Sequence, residues 1–271
     1  MCGISEIKPV QNKVVYTAVF GDYDFVPAVN PKWDCDFVCF TDNPEIVSSG
    51  WQVILVQLDH ESPAQANRRY KMLPHKYLAL YECSLYVDGN IKIVADPSPL
   101  FDKYLSKGIF AIPKHQDRNC SFAEARLCIS GGRVNKEITV QQMSRYALDG
   151  FPENFGMTEN GVLLRSHHNK NVVALMDAWW TEYCNGGKRD QLSLPYLIWK
   201  NKIEVLEVVE GPRISAKFFD IGLHAIEKSK SLLSRLARQA NGKKHLKFYY
   251  SIISCMVFLT VSIRDLLRKA K

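Results

Sequence analysis

An α/β fold is predicted for this chain on three observations. Apolar runs rich in β-branched and aromatic residues alternate with helical stretches along most of its length. The early runs carry few polar interruptions, the pattern of strands covered on both faces. An aspartate, Asp88, stands at the carboxyl end of one run, where ligands sit in open α/β sheets.

The elements follow in order. Val14 to Phe20, VVYTAVF, reads as a buried first strand with GDYD as its loop. Asp36 to Phe40, DFVCF, is a second, closed by the turn signal Thr-Asp-Asn-Pro. Trp51 to Gln57, WQVILVQ, is a third. In NRRYKMLPHKYLALY, Pro74 suits the first turn of a helix, so a helix is expected from about Leu73. Arg68, Arg69 and Lys71 precede it, as a solvated basic loop or as cations for a diphosphate. Leu85-Tyr86-Val87 then delivers Asp88, Gly89 and Asn90. An aspartate there holds Mg²⁺ or Mn²⁺ on a phosphate, or simply forms a turn.

Ile109 to Ile112 is a further strand and runs into the polar cluster His115, Asp117, Arg118 and Glu124. Ser121 and Glu124 also spell a capping box, so Glu124 has a purely structural reading. Val134 to Leu148 has the pattern of an amphipathic helix. Gly161 to Arg165 is a strand ending in Ser-His-His-Asn, and a helix from Val172 to Tyr183 stops at Asn-Gly-Gly. Arg189-Asp190-Gln191 opens another helix, where Asp190 suits an N-cap. Ile203 to Val208 is expected as the last strand. With no Walker loop and no GxGxxG, ATP-loop and Rossmann dinucleotide readings fail.

The 271 residues allow one large domain or two small ones. Eight scattered cysteines form no CxxC pair and no zinc spacing, which points to buried thiols in a reducing compartment. The first residues, MCGISEIKPVQNK, contain no apolar core of a signal peptide. The net charge of +7 belongs to the end of the chain. Residues 228–271 hold 11 Lys/Arg and one acid, Asp265, whereas the rest carries 24 basic and 27 acidic side chains. That distribution argues against nucleic acid as the partner.

Six segments, in order, carry a family resemblance. They are YTAVFGDYD (Tyr16–Asp24), DFVCFTDNP (Asp36–Pro44), RRYKMLPHKYL (Arg68–Leu78), LYVDGNI (Leu85–Ile91), HQDRNCSFAEA (His115–Ala125) and RDQLSLPY (Arg189–Tyr196). Together they resemble the glycosyltransferase-like domain family of plant cell-wall and mucilage synthesis and bacterial surface-polysaccharide loci. The resemblance implies a GT-A-like, Rossmann-type mixed sheet flanked by helices, with a nucleotide-sugar donor and a glycan or lipid-linked acceptor. It places Tyr16, Thr17, Ala18 and Asp22 beside the nucleotide, and Arg68, Arg69, Lys71 and Arg165 on the donor. Asp88 would meet Mn²⁺ or Mg²⁺, with Asn90 standing where a second aspartate is usual and His167 as a late ligand; His168 is an equal candidate. Asp190 and Gln191 would lie near the sugar or acceptor, with Asp190 the first and Glu124 the second candidate for the catalytic carboxylate.

Two rivals are a nucleotidyltransferase of related sheet and a non-catalytic polysaccharide-binding scaffold. The first would be expected to carry a Gly-rich basic loop, and VFGDYD is acidic with one glycine. The second is favoured by Asn90. The expected division is a transferase domain over residues 1–212 and a helical basic tail over 213–271. In that tail Phe248 to Ile263 is 16 residues without a charge, short of the roughly 20 that span a bilayer. Basic residues flank it on both sides, so a peripheral protein of the cytoplasmic membrane face is expected.

Overall fold

The computed structural model describes residues 12–224 and 232–256. A seven-stranded sheet forms its centre. Its strands are β1 (Lys13–Val19), β2 (Asp36–Thr41), β3 (Gln52–Leu55), β4 (Cys83–Val87), β6 (Phe110–Ile112), β7 (Val162–Arg165) and β8 (Leu206–Glu207), in the order β3-β2-β1-β4-β7-β6-β8. The pairs β1–β2, β2–β3 and β1–β4 are parallel, β4–β7 and β6–β7 antiparallel, and β6–β8 parallel again. A second, two-stranded sheet pairs β5 (Ile91–Ile93) with β9 (Phe219–Ile221).

The near-continuous apolar runs have the cause expected of them. Alternate residues of β1 enter different cores: Val14, Tyr16 and Ala18 join one, Val15 the other. The first core receives α1 (Pro63–Met72) through Ala66 and Tyr70, α6 (Lys170–Asn185) through Trp179, and α7 (Asp190–Lys200) through Leu192 and Leu194. The second receives Leu100, Phe101 and Tyr104 of α3 (Ser98–Leu105), together with Phe219 of β9. The remaining helices are α2 (Pro74–Tyr77), α4 (Ser121–Ser130), α5 (Lys136–Leu148) and α8 (Leu232–Lys243).

Several sequence expectations are corrected. The basic stretch before Leu73 is no loop but the second half of α1. Two prolines each occupy a first turn, Pro63 in α1 and Pro74 in α2, and Leu73 separates the helices. The Ser121–Glu124 capping box is absent: Cys120 is the N-cap of α4, and no side chain caps it. Asp190 is the first residue of α7, behind an Arg189 N-cap. Strands β5 and β9 were not foreseen. Each is three residues long, and they pair across more than a hundred intervening positions. The division expected at residue 212 falls before β9, whose Phe219 is fully buried in the second core. The expectations for residues 1–11 and for 257–271, including the last seven of the uncharged run, lie outside the described residues.

Candidate active site

A cleft of ≈ 720 Å³ opens at the carboxyl ends of β1 and β4. Helix α1 supplies one wall. Ser62 caps it by accepting from the Gln65 N–H (3.2 Å), and Ala64, Asn67, Arg68 and Lys71 then fall on the cleft face at helical spacing. Asn67 donates to the Ala18 carbonyl and accepts from Arg68, tying that face to the end of β1. Arg69 points the other way, paired with Glu61 and lying over the Tyr70 and Tyr77 rings, so it is not a cleft residue.

The opposite wall is the turn after β4. The Ile91 N–H donates to the Asp88 carbonyl (2.9 Å) and closes Asp88-Gly89-Asn90 into a tight turn. A Cβ on Gly89 would lie 2.7 Å from Val19 Cγ2 and 3.2 Å from Asp24 Cβ, so only glycine lets β4 and the β1 loop approach this closely.

Between the walls stands Lys71, its side chain 2% exposed. Its ammonium lies 3.1 Å from Asp190 Oδ2 and 3.3 Å from Asp88 Oδ1. Arg68 Nε is 3.5 Å from the same Asp190 oxygen. Burial alone would raise the Asp190 carboxyl, but Lys71, Arg68 and Arg189 outweigh it and hold the group well below the usual carboxylate range. The Tyr86 hydroxyl donates to Asp88 Oδ1 (2.9 Å); burial, and then the Asp88 charge, push its pKa up and keep it a donor. Trp179 Nε1–H donates to the Asp190 carbonyl (3.0 Å), which anchors the start of α7 in the core.

The remaining expected residues separate into two groups. Ala18, Asp88, Asn90 and Gln191 line the cleft; Gln191 accepts from Arg189 (2.7 Å). Tyr16 and Thr17 lie inside the sheet, and Asp22 is exposed on the loop. Asp24, two residues on, lines the cleft instead and meets His224 at 2.7 Å. Arg165 is fully buried behind Lys71, where it donates to the Lys71 carbonyl (2.9 Å) and to the Tyr16 hydroxyl. That carbonyl is in the last turn of α1, so Arg165 satisfies an orphan acceptor and faces the negative end of the helix. It therefore contacts the Lys71 backbone and does not line the cleft. His167 is fully buried with Nε2 on the Leu78 carbonyl (3.1 Å), and burial lowers its pKa to about 3. It faces the C-terminal end of α2 and does not line the cleft with Asp88 and Asn90. Glu124 is sealed between Arg118 on Oε2 and Arg189 on Oε1, where the Cys128 thiol also donates, and does not line the cleft.

Sequence reasoning missed Asn160 and Arg213, which also line the cleft. Asn160 is 2% exposed; its amide oxygen accepts from Thr158 (2.7 Å), and its Nδ2 has no partner among the described residues. The turn-like Thr-Glu-Asn-Gly before β7 was the one signal for it.

Among the described residues no three His, Cys, Asp or Glu side chains gather into a metal cage. A hard cation shared with a phosphate needs fewer, one or two carboxylates with water and substrate completing the shell. Asp88 meets this requirement with Oδ2, since Oδ1 takes the bonds from Tyr86 and Lys71. Asn90 donates its Nδ2–H to the Gly222 carbonyl (3.1 Å), which leaves its amide oxygen as the second donor atom. The donor set fits Mg²⁺ or Mn²⁺.

The model of the TOD1/MUCI70, glycosyltransferase-like domain family matches residues 39–210. This chain belongs to that family. It is also similar to the probable hexosyltransferase MUCI70 of Arabidopsis thaliana, at 26% identity over 221 residues. That match covers 69% of this chain but only 37% of the relative's length. Two solved structures are similar at a distance. Mouse xyloside xylosyltransferase 1, apo form, has a TM-score of 0.43 at 8% identity, covering 73% of this chain and 85% of that one. The galactosyltransferase LgtC, in complex with donor and acceptor sugar analogs, has a TM-score of 0.40 at 14% identity, covering 73% of each. The mixed α/β sheet flanked by helices that the family resemblance implied is the fold of this member.

Proposed function

We propose that this chain transfers a glycosyl group from a nucleotide-sugar donor to a glycan or lipid-linked acceptor, with a divalent cation held by Asp88 and Asn90. Family membership supports the reaction class, and one observation carries the site: the buried Lys71 ammonium bridging Asp88 and Asp190 at the head of the cleft. When bound, the cation would offset negative charge on the departing diphosphate. The protein's own part is to present fixed cations to the same charge. Lys71 and Arg68 are held in place before substrate arrives, so they stabilise a developing anion without reorganising. Asp190 is a permanent anion at neutral pH, which makes it a weak proton acceptor. Its role on this reading is to hold Lys71 and Arg68 in position. The Asn160 Nδ2–H offers a hydrogen bond to an oxygen of the donor. All seven described cysteines are free, which suits the cytoplasmic side of a membrane.

Titration calorimetry of nucleoside-diphosphate sugars with Mn²⁺, followed by transfer assays, tests the reading. Asp88→Asn is expected to keep the fold and lower turnover about 100-fold, the scale of losing one preorganised electrostatic group. Full turnover in that variant, with an unchanged requirement for metal, would remove Asp88 from the site.

A further inference from the structure

The C-terminal segment meets the rest of the molecule at the cleft. Ala240 of α8 is 2% exposed, and Asn241 lines the cleft. The Gly242 carbonyl accepts from Arg213 (3.4 Å), and Lys243 pairs with Asp220 (2.5 Å). Lys244 and His245 both lie 2.8 Å from Asp117 Oδ1. Asp117, Arg213 and Asn241 all line the cleft, so this end of α8 forms part of its rim.

The flanks of the docked end are unlike it. Leu232 and Leu236, one turn apart, are exposed. Residues 248–256 are helical, and there Phe248, Ile252 and Met256 recur every fourth position with exposures of 81, 45 and 63%. A stripe of large apolar side chains thus faces outward on a helix. The same segment carries Arg235, Arg238 and Lys247, and residues 232–256 contain no acid at all. No helix among the described residues is long and apolar enough to cross a membrane. An apolar helical face with cations and no anions matches the surface of an anionic bilayer, the sign of charge and the apolar interior together.

We propose that residues 232–256 seat this protein on an anionic bilayer surface while their docked centre, Ala240 to His245, completes the rim of the cleft. One segment then sets both membrane contact and cleft geometry, and the cleft opens beside the lipid surface. Taken with the proposed transferase reaction, on which this last step rests, the acceptor is lipid-linked.

The test uses the full chain and two measurements that need no sugar nucleotide, so it can fail while transfer activity stands, and the reverse. Flotation is measured with vesicles of phosphatidylcholine plus phosphatidylserine and with phosphatidylcholine alone. The wild type is expected to float with the anionic vesicles only, and less at high salt. The pair Phe248→Glu and Ile252→Glu, at exposed sites that leave the core untouched, is expected to cut the bound fraction about tenfold or more. Hydrogen exchange reads the docked end. Amides of residues 240–245 are expected to be protected in the wild type and to exchange about tenfold faster once Lys244→Ala and His245→Ala break the Asp117 contacts. Absence of flotation, or flotation unmoved by the Phe248/Ile252 pair, overturns the membrane surface. Self-association abolished by that same pair, without flotation, assigns the stripe to a second copy of the chain and equally overturns it. Wild-type exchange at 240–245 as fast as in the broken variant overturns the shared rim.

Discussion

Lys71 is the residue whose environment explains most of the cleft. An ammonium this buried is tolerated because two carboxylates flank it and Arg165 and Tyr16 fix the carbonyl of its own residue. Breaking one side of a buried ion pair leaves an uncompensated charge. Asp190→Ala is therefore expected to destabilise the fold by about 3–5 kcal/mol, well above the ~1 kcal/mol of a lost helix cap. Denaturant unfolding separates the two, and a loss near the smaller value would mean that Asp190 acts only at the helix start. His167 gives a second residue-scale test. Its folded pKa is about 3, below the ordinary 6.5, so on acidification the unfolded chain binds the proton first. Its contribution to stability is complete above about pH 6.5 and is lost as pH falls toward 3, with a slope of about 1.4 kcal/mol per pH unit. His167→Gln is expected to flatten the stability profile between pH 6 and 4, as about one proton's linkage is removed; an unchanged slope would mean that other groups govern that range. Asp88, Lys71 and Asp190 were legible in the sequence because each sits in a recognisable motif at an element's end. His224 was not, since its partner Asp24 lies 200 positions away and no local pattern joins them.

At the scale of the element, α1 decides which basic residues face the ligand. Sequence reading placed Arg68, Arg69 and Lys71 together as one cationic group. Helical geometry divides them, turning Arg68 and Lys71 into the cleft and Arg69 onto Tyr70 and Tyr77. The helix was overlooked because Pro74 looked like its beginning, whereas Ser62-Pro63 is the N-terminal signal, with the serine as cap and proline in the first turn. Ser62→Ala is expected to cost about 1 kcal/mol, roughly 2–4 °C in melting temperature for a chain of this size. The same variant is expected to weaken donor binding only slightly, because Lys71 near the far end of α1 is held separately by Arg165 and Tyr16 through its carbonyl. A large loss of donor affinity in calorimetry, without a comparable loss of stability, would show that the cap shapes the site directly.

Across the whole molecule, the long strands were readable because each is apolar on both faces. The small sheet was hidden because β5 and β9 are three residues each and find one another only in the folded state. That pairing draws the chain beyond residue 212 onto the body of the domain and brings α8 to the cleft, where the sequence placed a separable tail. The groups proposed to meet the donor diphosphate, Arg68, Lys71 and Asp88, come from α1 and the end of β4, and none comes from the tail. Among the described side chains of 232–256, Ala240 alone is buried and apolar. Removing residues 228–271 is therefore expected to leave a cooperatively folding chain that still binds the nucleotide sugar within about twofold of the full protein, a change below 0.5 kcal/mol. Transfer to acceptor is expected to fall much further, because Asn241 and the contacts of Lys243, Lys244 and His245 leave the rim. Calorimetry for the donor and a transfer assay for the acceptor divide the outcomes. Equal losses in both would place the rim on the donor half of the cleft, and no loss in either would show that α8 lies against the cleft without serving it.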